Sequence, residues 1–368
     1  MSGSTTPQLV AAVSNAGGLG MYAVGSGLPD ASKLPAVISS IREKLAAPDT
    51  PFGVNIFVPP PEHYHPQPLS PDESEAVALW VAAYQRRAAA LGMATKVAAA
   101  PSLPDFHGQW SSFERHVEVM VEQRVPLISF HFGLPRPATL DLIRGAGLLT
   151  VACATTVKEA RAAEAAGVDF VVVQGAEAGG HRGTFYGEDP RSGLIGTLPL
   201  LAAVRAAVSV PVIAAGGIMD GAGVAAVLAG GAAGAWLGTA FLAAAEADVA
   251  AWQREAMLGQ APTADGSDDS VDNTVVTRAF TGKGARGLAN DLTHELAEVE
   301  GTLPNLFELA NTRAFLAEAR QKGLSSVGIA LCGQGHRRLR RQVVGAGQLL
   351  AELEAETDAA VGRLLGDG

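Results

Sequence analysis

The sequence predicts an α/β fold, a (β/α)8 TIM-type barrel that lacks its first strand and carries a small, mainly helical lid subdomain. Three observations lead there. Apolar β-type runs alternate with Ala-rich helical stretches along most of the 368 residues. The strand runs are apolar throughout, as a parallel sheet covered by helices requires. Hydrophobic residues make up 48% and charged residues 17%, enough for a large core and too apolar for a disordered chain. A doubly wound open sheet satisfies the same alternation and stands as the second architecture.

The first expected element is a helix at "TPQLVAAVSN", followed by a strand at 20–23 and a helix near 32–46. A crossover helix should follow a strand, and none precedes that first helix. Strand 52–57 leads to helix 73–91, strand 125–130 to helix 138–146, and strand 149–152 to helix 157–166. Strand 170–173 leads to helix 198–207, strand 210–214 to helix 221–229, and a strand at 235–237 ends the series. That makes seven strands where a closed barrel needs eight. The shortfall falls at the front, and the expected cause is a native start lying upstream of Met1. Segments 92–124 and 246–324 break the alternation and are expected to form the lid. The barrel then comprises 1–91, 125–245 and 325–368, with a closing helix at 342–365.

Composition excludes several classes. Net charge −10 and an isoelectric point near 5.3 leave no basic stripe for nucleic acid. The uncharged stretch 221–245 is long enough for a membrane span. Gly230 and Gly231 divide it into a short helix, a turn, a strand and a second helix, so no membrane partner is expected. Cys153 and Cys332 form neither a disulfide framework nor a zinc cluster. His63 and His65 in "PEHYHP" have no third ligand in view, so no metal is expected. The first ten residues lack a signal-peptide pattern, and a cytoplasmic location is expected.

The densest chemical signal is "VVVQGAEAGGHRG", where a buried strand runs into Gln174, Gly179, Gly180 and His181. Barrel enzymes place catalytic groups on loops after strand C-termini. An imidazole of ordinary pKa there could remove or guide a proton near neutral pH, whereas a surface His in a Gly turn is the bland alternative. A second, paired signal is "VIAAGGIMDG" with "AWLGTAFL". Gly216, Gly217, Gly238 and Thr239 lie at strand ends before helices, and their N–H groups suit a phosphate dianion. Tight packing alone would also use glycine there. "TGKGARG" contains G-x-G-x-x-G without a leading strand, so it reads as a loop near the ligand and not as a dinucleotide fingerprint.

Taken in order, "LVAAVSNAGGLG", "FGVNIFVP", "LISFHFGLP", "QGAEAGGHRG", "AAGGIMDGAGVAAVLAGGAAGAWLGTAFL" and "TRAFTGKGARGLAND" resemble the nitronate monooxygenases, over nearly the whole chain. The resemblance implies an FMN-bound barrel that oxidises alkyl nitronates, notably propionate 3-nitronate, with molecular oxygen. It implies that His181 is the catalytic base or nitronate-orienting residue. It also implies FMN contacts at Asn55, Gln174, Gly179, Gly217 and the turn Trp236, Leu237, Gly238, Thr239. His131 in "SFHFG" is expected to face the substrate, with core packing as the alternative. Family members open with a strand ending in an Ala-Pro-Met-type turn, and this chain begins at about that Met. Cys153 stands where some relatives place a Lys near the flavin. A flavin-dependent enoyl-thioester reductase using NAD(P)H is the close alternative, which "SFHFGLP" disfavours. A degenerate flavin-binding protein without turnover is the alternative from another class, and a homo-oligomer remains open.

Overall fold

The computed structural model describes residues 3–24, 30–61, 69–95, 97, 106–186, 193–259, 273–303 and 312–366. His63 and His65 lie outside the described residues, as does most of the polar loop at 263–273. In chain order, the first half contains α1 (Pro7–Asn15), β1 (Gly20–Ala23), α2 (Leu34–Arg42), β2 (Phe52–Phe57), α3 (Pro71–Ala90) and α4 (Phe106–Glu122). These lead into β3 (Leu127–His131), α5 (Pro137–Gly145), β4 (Leu149–Ala154), α6 (Val157–Ala165), β5 (Phe170–Gln174) and the two-residue β6 (Gly180–His181). Next come α7 (Thr197–Arg205), β7 (Val212–Ala215), α8 (Gly221–Ala229), β8 (Gly234–Trp236) and α9 (Ala251–Met257). The chain ends with β9 (Thr274–Thr277), β10 (Ala285–Leu288), α10 (Asp291–Leu296), α11 (Arg313–Lys322) and α12 (Ala346–Leu365).

Seven parallel strands pair in the order β1-β2-β3-β4-β5-β7-β8, a TIM-like barrel one strand short among the described residues. The space beside β1 is crossed by the start of the described chain. Ala23 N donates to Thr5 Oγ1, Asp248 N to Ser4 O, and Thr6 Oγ1 to Glu246 O. One edge donor of β1 is thereby satisfied by a side chain where a neighbouring strand would do so.

Strand side chains alternate between faces with a period of two. Val54, Ile56, Ile128, Phe130, Val171 and Val173 point outward and are fully buried under the helices. Asn55, Phe57, His131, Cys153, Gln174 and Trp236 take the inner face, as the register pairs Phe57↔His131, Gln174↔Ala215 and Ala215↔Trp236 require. Leu127, Val151, Val172 and Ala215 pack inside against Met21 and Trp236, so the inner layer is a packed core and the polar groups collect above it.

Packing divides two helices otherwise than the sequence expectation did. Helix α4, expected in the lid, puts Trp110, Phe113, Val117 and Met120 into one cluster with Ile38, Phe52 and Ile128 of the barrel. Helix α3, expected in the barrel, puts Trp80 and Tyr84 with Phe280, Leu292 and Phe315. Trp80 Nε1 and Tyr84 OH both donate to Ala279 O, at 2.9 and 2.8 Å. Helical periodicity gives a helix an apolar face but not the partner of that face. The expected second helix after β8 is a short 3-10 turn, Thr239–Ala243.

Candidate functional site

The C-terminal strand ends carry the expected residues. The two-residue β6 lies across the mouth and pairs antiparallel with β10, Ala285↔His181, while β10 also pairs with β9. A three-stranded sheet thus fixes the His181 backbone, where a free Gly-rich loop would let it wander. Gln174, at the end of β5, braces the same segment with both ends of its amide. Its Nε2 donates to His181 O at 3.0 Å, and its Oε1 accepts from Gly183 N at 2.8 Å. His131 Nε2 also bonds His181 O, at 3.1 Å. Arg182, 1% exposed, donates to the carbonyls of Gly175, Gln174 and Gly193 and ties the loop to the strand end.

His181 Nε2 lies 2.9 Å from Thr281 Oγ1. That hydroxyl donates its single proton to Lys283 O at 3.2 Å, so it accepts from His181. With the hydroxyl proton so placed, the imidazole carries its ring hydrogen on Nε2. Around it stand Phe57 at 6.0 Å and Phe132 at 5.7 Å between ring centroids, both edge-on, with Tyr186 against Phe132 at 6.1 Å. Phe132 is fully buried with φ +77°, a left-handed backbone that a bulky side chain rarely adopts. Such strain, of order 1–3 kcal/mol, persists where surrounding packing over-determines it and clusters at functional sites.

Electrostatics set the protonation states. His181 keeps some open surface, yet the surrounding protein strips most of its water, and burial pushes its imidazole down to about 3, helped by the Lys283 charge. Burial does the same to His131, also to about 3. Both rings are neutral at pH 7, which differs from the near-neutral titration that an ordinary histidine would show. Burial also raises the Cys153 thiol to about 12, so it is a neutral, unreactive group beneath the loop.

The paired glycine turns lie on the far side of the mouth. Gly216 and Gly217 have successive positive φ angles, +121° and +70°, a backbone path open to glycine. A Cβ on Gly217 would meet Glu177 Cβ at 3.1 Å. Among the described residues, the N–H groups of Gly216, Gly217 and Gly238 donate to no other backbone group. These features fit a phosphate dianion. Glu177 does not oppose it, because its carboxylate caps α7 by accepting from Thr197 N and Oγ1. Gly179 serves the same corner through close approach: a Cβ there would lie 2.3 Å from the Cys332 carbonyl carbon. The segment at 332–335 is thereby seated on the turn, with Gly333 N bonded to Thr239 Oγ1 at 2.9 Å. Asn55 sits half-buried on the inner face of β2, and Trp236 packs lower, in the inner core; Leu237 follows β8.

Sequence reasoning missed Lys283, Thr281, Phe132, Tyr186 and Glu159. A lysine between two glycines in "TGKGARG" was the available signal. Only the sheet contact with β6 brings it beside His181. Among the described residues, no cluster of His, Cys, Asp and Glu could hold a metal, and no helix is long and apolar enough to cross a membrane.

Comparisons with known proteins agree with this fold. The family described as nitronate monooxygenase matches residues 1–356. A probable nitronate monooxygenase from Staphylococcus aureus (strain JH9) is 36% identical over 305 residues, covering 83% of this chain and 78% of that protein. The nitroalkane oxidase structure from Streptomyces ansochromogenes has a TM-score of 0.82 and 38% identity, over 98% of this chain and 94% of that one. FabK from Thermotoga maritima gives a TM-score of 0.69 and 28% identity, over 100% of this chain and 94% of that one.

Proposed function

The chain belongs to the nitronate monooxygenase family of flavin-dependent oxidoreductases, and from that premise we propose that it uses FMN and molecular oxygen to oxidise alkyl nitronates such as propionate 3-nitronate. The observation that carries the reading is the neutral His181, fixed by Thr281, Gln174 and β10 at a mouth that also holds glycine turns whose N–H groups suit one phosphate. Bound flavin would supply electron transfer and oxygen reactivity. Gly216, Gly217, Gly238 and Thr239 would hold its phosphate, with Asn55, Gln174 and Gly179 along its remaining length. FMN is favoured over FAD because the described residues offer one phosphate cradle and the sequence has no dinucleotide fingerprint in a strand–turn–helix context.

The His181 imidazole would accept the α-proton of a neutral nitroalkane or orient a preformed nitronate. An imidazole lowered to about 3 is a weak base, so the site suits an already deprotonated substrate better than a carbon acid. His131, bonded to the His181 carbonyl, keeps the loop in register and presents its ring beside Phe57 at 5.7 Å. The phenyl wall of Phe57 and Phe132 excludes water from the reacting end.

The competing reading is an NAD(P)H-dependent enoyl-thioester reductase, and one experiment separates the two. Purified holoprotein is mixed without oxygen with propionate 3-nitronate or with NADPH, and flavin absorbance is followed. Bleaching by the nitronate and not by NADPH is expected. Bleaching by NADPH alone would replace the proposal with the reductase. Heat release of FAD from the protein would overturn the FMN assignment.

A further inference from the structure

Lys283 is 3% exposed, and its ammonium has three protons to place. Among the described residues it donates to one oxygen, the Thr184 carbonyl at 3.3 Å. Otherwise the ammonium faces two rings, Tyr186 at 4.0 Å and Phe132 at 4.3 Å from their centroids. Phe132 is the ring whose edge meets His181.

The charge balance around it is unusual. Among the described residues the buried charged side chains are Glu159, Arg182, Lys283 and Arg286, three cations and one anion in a chain whose net charge is −10. Arg182 spends its donors on three carbonyls, and Arg286 bonds Ala176 O and Thr274 Oγ1. Glu159 accepts from the N–H groups of Thr155, Thr156 and Phe185. Lys283 is thus the cation with the fewest protein oxygens around it. A buried charge is normally paired, and one held by ring faces and a single carbonyl still lacks a directly bonded counter-anion among the described residues.

We infer that Lys283 is a specificity-determining residue whose ammonium binds the anionic group of the substrate and so selects a nitronate over a neutral nitroalkane. The inference rests on the nitronate reading above. Burial lowers the amine to about 7, which shows how poorly the protein alone solvates the charge, and an arriving anion would restore it. His131 and His181 stay neutral, so neither duplicates this charge.

The test uses holoprotein of the wild type, Lys283→Met, Lys283→Gln as a second neutral variant, and Lys283→Arg. Steady-state oxidation of ethylnitronate and of neutral nitroethane is measured at pH 6.5, with flavin content determined for each variant. Both neutral variants should raise KM for ethylnitronate about 10- to 100-fold, the worth of a hydrogen bond to a charged group. The kcat should stay within about 3-fold by the uniform-binding argument, and KM for nitroethane should not change. Lys283→Arg should restore most of the loss. An unchanged KM for ethylnitronate, an equal rise for both substrates, or loss of flavin in the neutral variants would overturn the inference. If the wild type oxidises neither substrate, the nitronate reading fails by itself. Calorimetric binding of 3-nitropropionate without oxygen then decides Lys283: weaker binding by both neutral variants supports it as an anion site, and equal affinity overturns it.

Discussion

Replacing Lys283 with Met should make the protein more stable, and the gain should depend on pH. The amine falls from 10.5 to about 7 because burial removes its water. At ~1.4 kcal/mol per pH unit, that corresponds to about 5 kcal/mol for carrying the charge inside the fold. An amine whose pKa drops on folding releases a proton as the chain folds anywhere between about 7 and 10.5. Stability therefore rises with pH through that window, and the full penalty is present below pH 7. Methionine has similar length and no charge, so it removes the penalty but also loses the contacts to Tyr186, Phe132 and Thr184. Exchanging buried charges for apolar groups of like volume typically gains about 1–4 kcal/mol. A gain of about 2 kcal/mol, or roughly 2–3 °C in Tm for a chain of this size, is expected at pH 6. Thermal melts of wild type and Lys283→Met, both saturated with flavin, are compared from pH 6 to 10. The difference should shrink steadily above pH 7. A variant that melts lower at pH 6, or a gap that ignores pH, would refute the reasoning and make the ammonium a net structural support.

His181→Asn should retain flavin but lower kcat/KM on neutral nitroethane by roughly 10²-fold, the low end of a general-base effect for so weak a base, with a smaller loss on preformed nitronate; equal losses on both would reduce His181 to a positioning role. Thr281→Val should release the imidazole tautomer and lower kcat/KM on nitroethane about 10-fold, a modest general-base effect. Thr281→Ser should restore it, and a serine variant as slow as the valine one would count against the tautomer assignment. In Gly179→Ala the new Cβ would sit 2.3 Å from the Cys332 carbonyl carbon and 2.4 Å from Gly333 N. The 332–335 segment must then shift, at a cost of about 1–3 kcal/mol. Melting and flavin retention should both fall, and unchanged values would show that the segment is not seated on the Thr239 turn.

The strands of the barrel were legible because fully buried parallel strands are apolar along their whole length, and all seven expected strands form within a few residues of their expected limits. The glycines at 216, 217 and 179 were legible as well, since only glycine tolerates those left-handed turns and that close approach to residue 332. Charge and cysteine counts sufficed to set aside nucleic acid and disulfides as expectations, because both are properties of composition. Partnership was not legible. Helix α3 carries an apolar face whatever it meets, and only the folded chain sets that face against Phe280, Leu292 and Phe315, with Trp80 and Tyr84 bonded to Ala279 O. Lys283 is 102 residues from His181 in sequence, and the pairing of β10 with β6 brings them to one mouth. The protonation of His181 was likewise decided by the fold. An imidazole takes its ordinary pKa from water, and here folding replaces that water with packed rings and a neighbouring ammonium. Local sequence fixes which backbone shapes are affordable, whereas burial and the meeting of distant charges exist only once the chain has closed on itself.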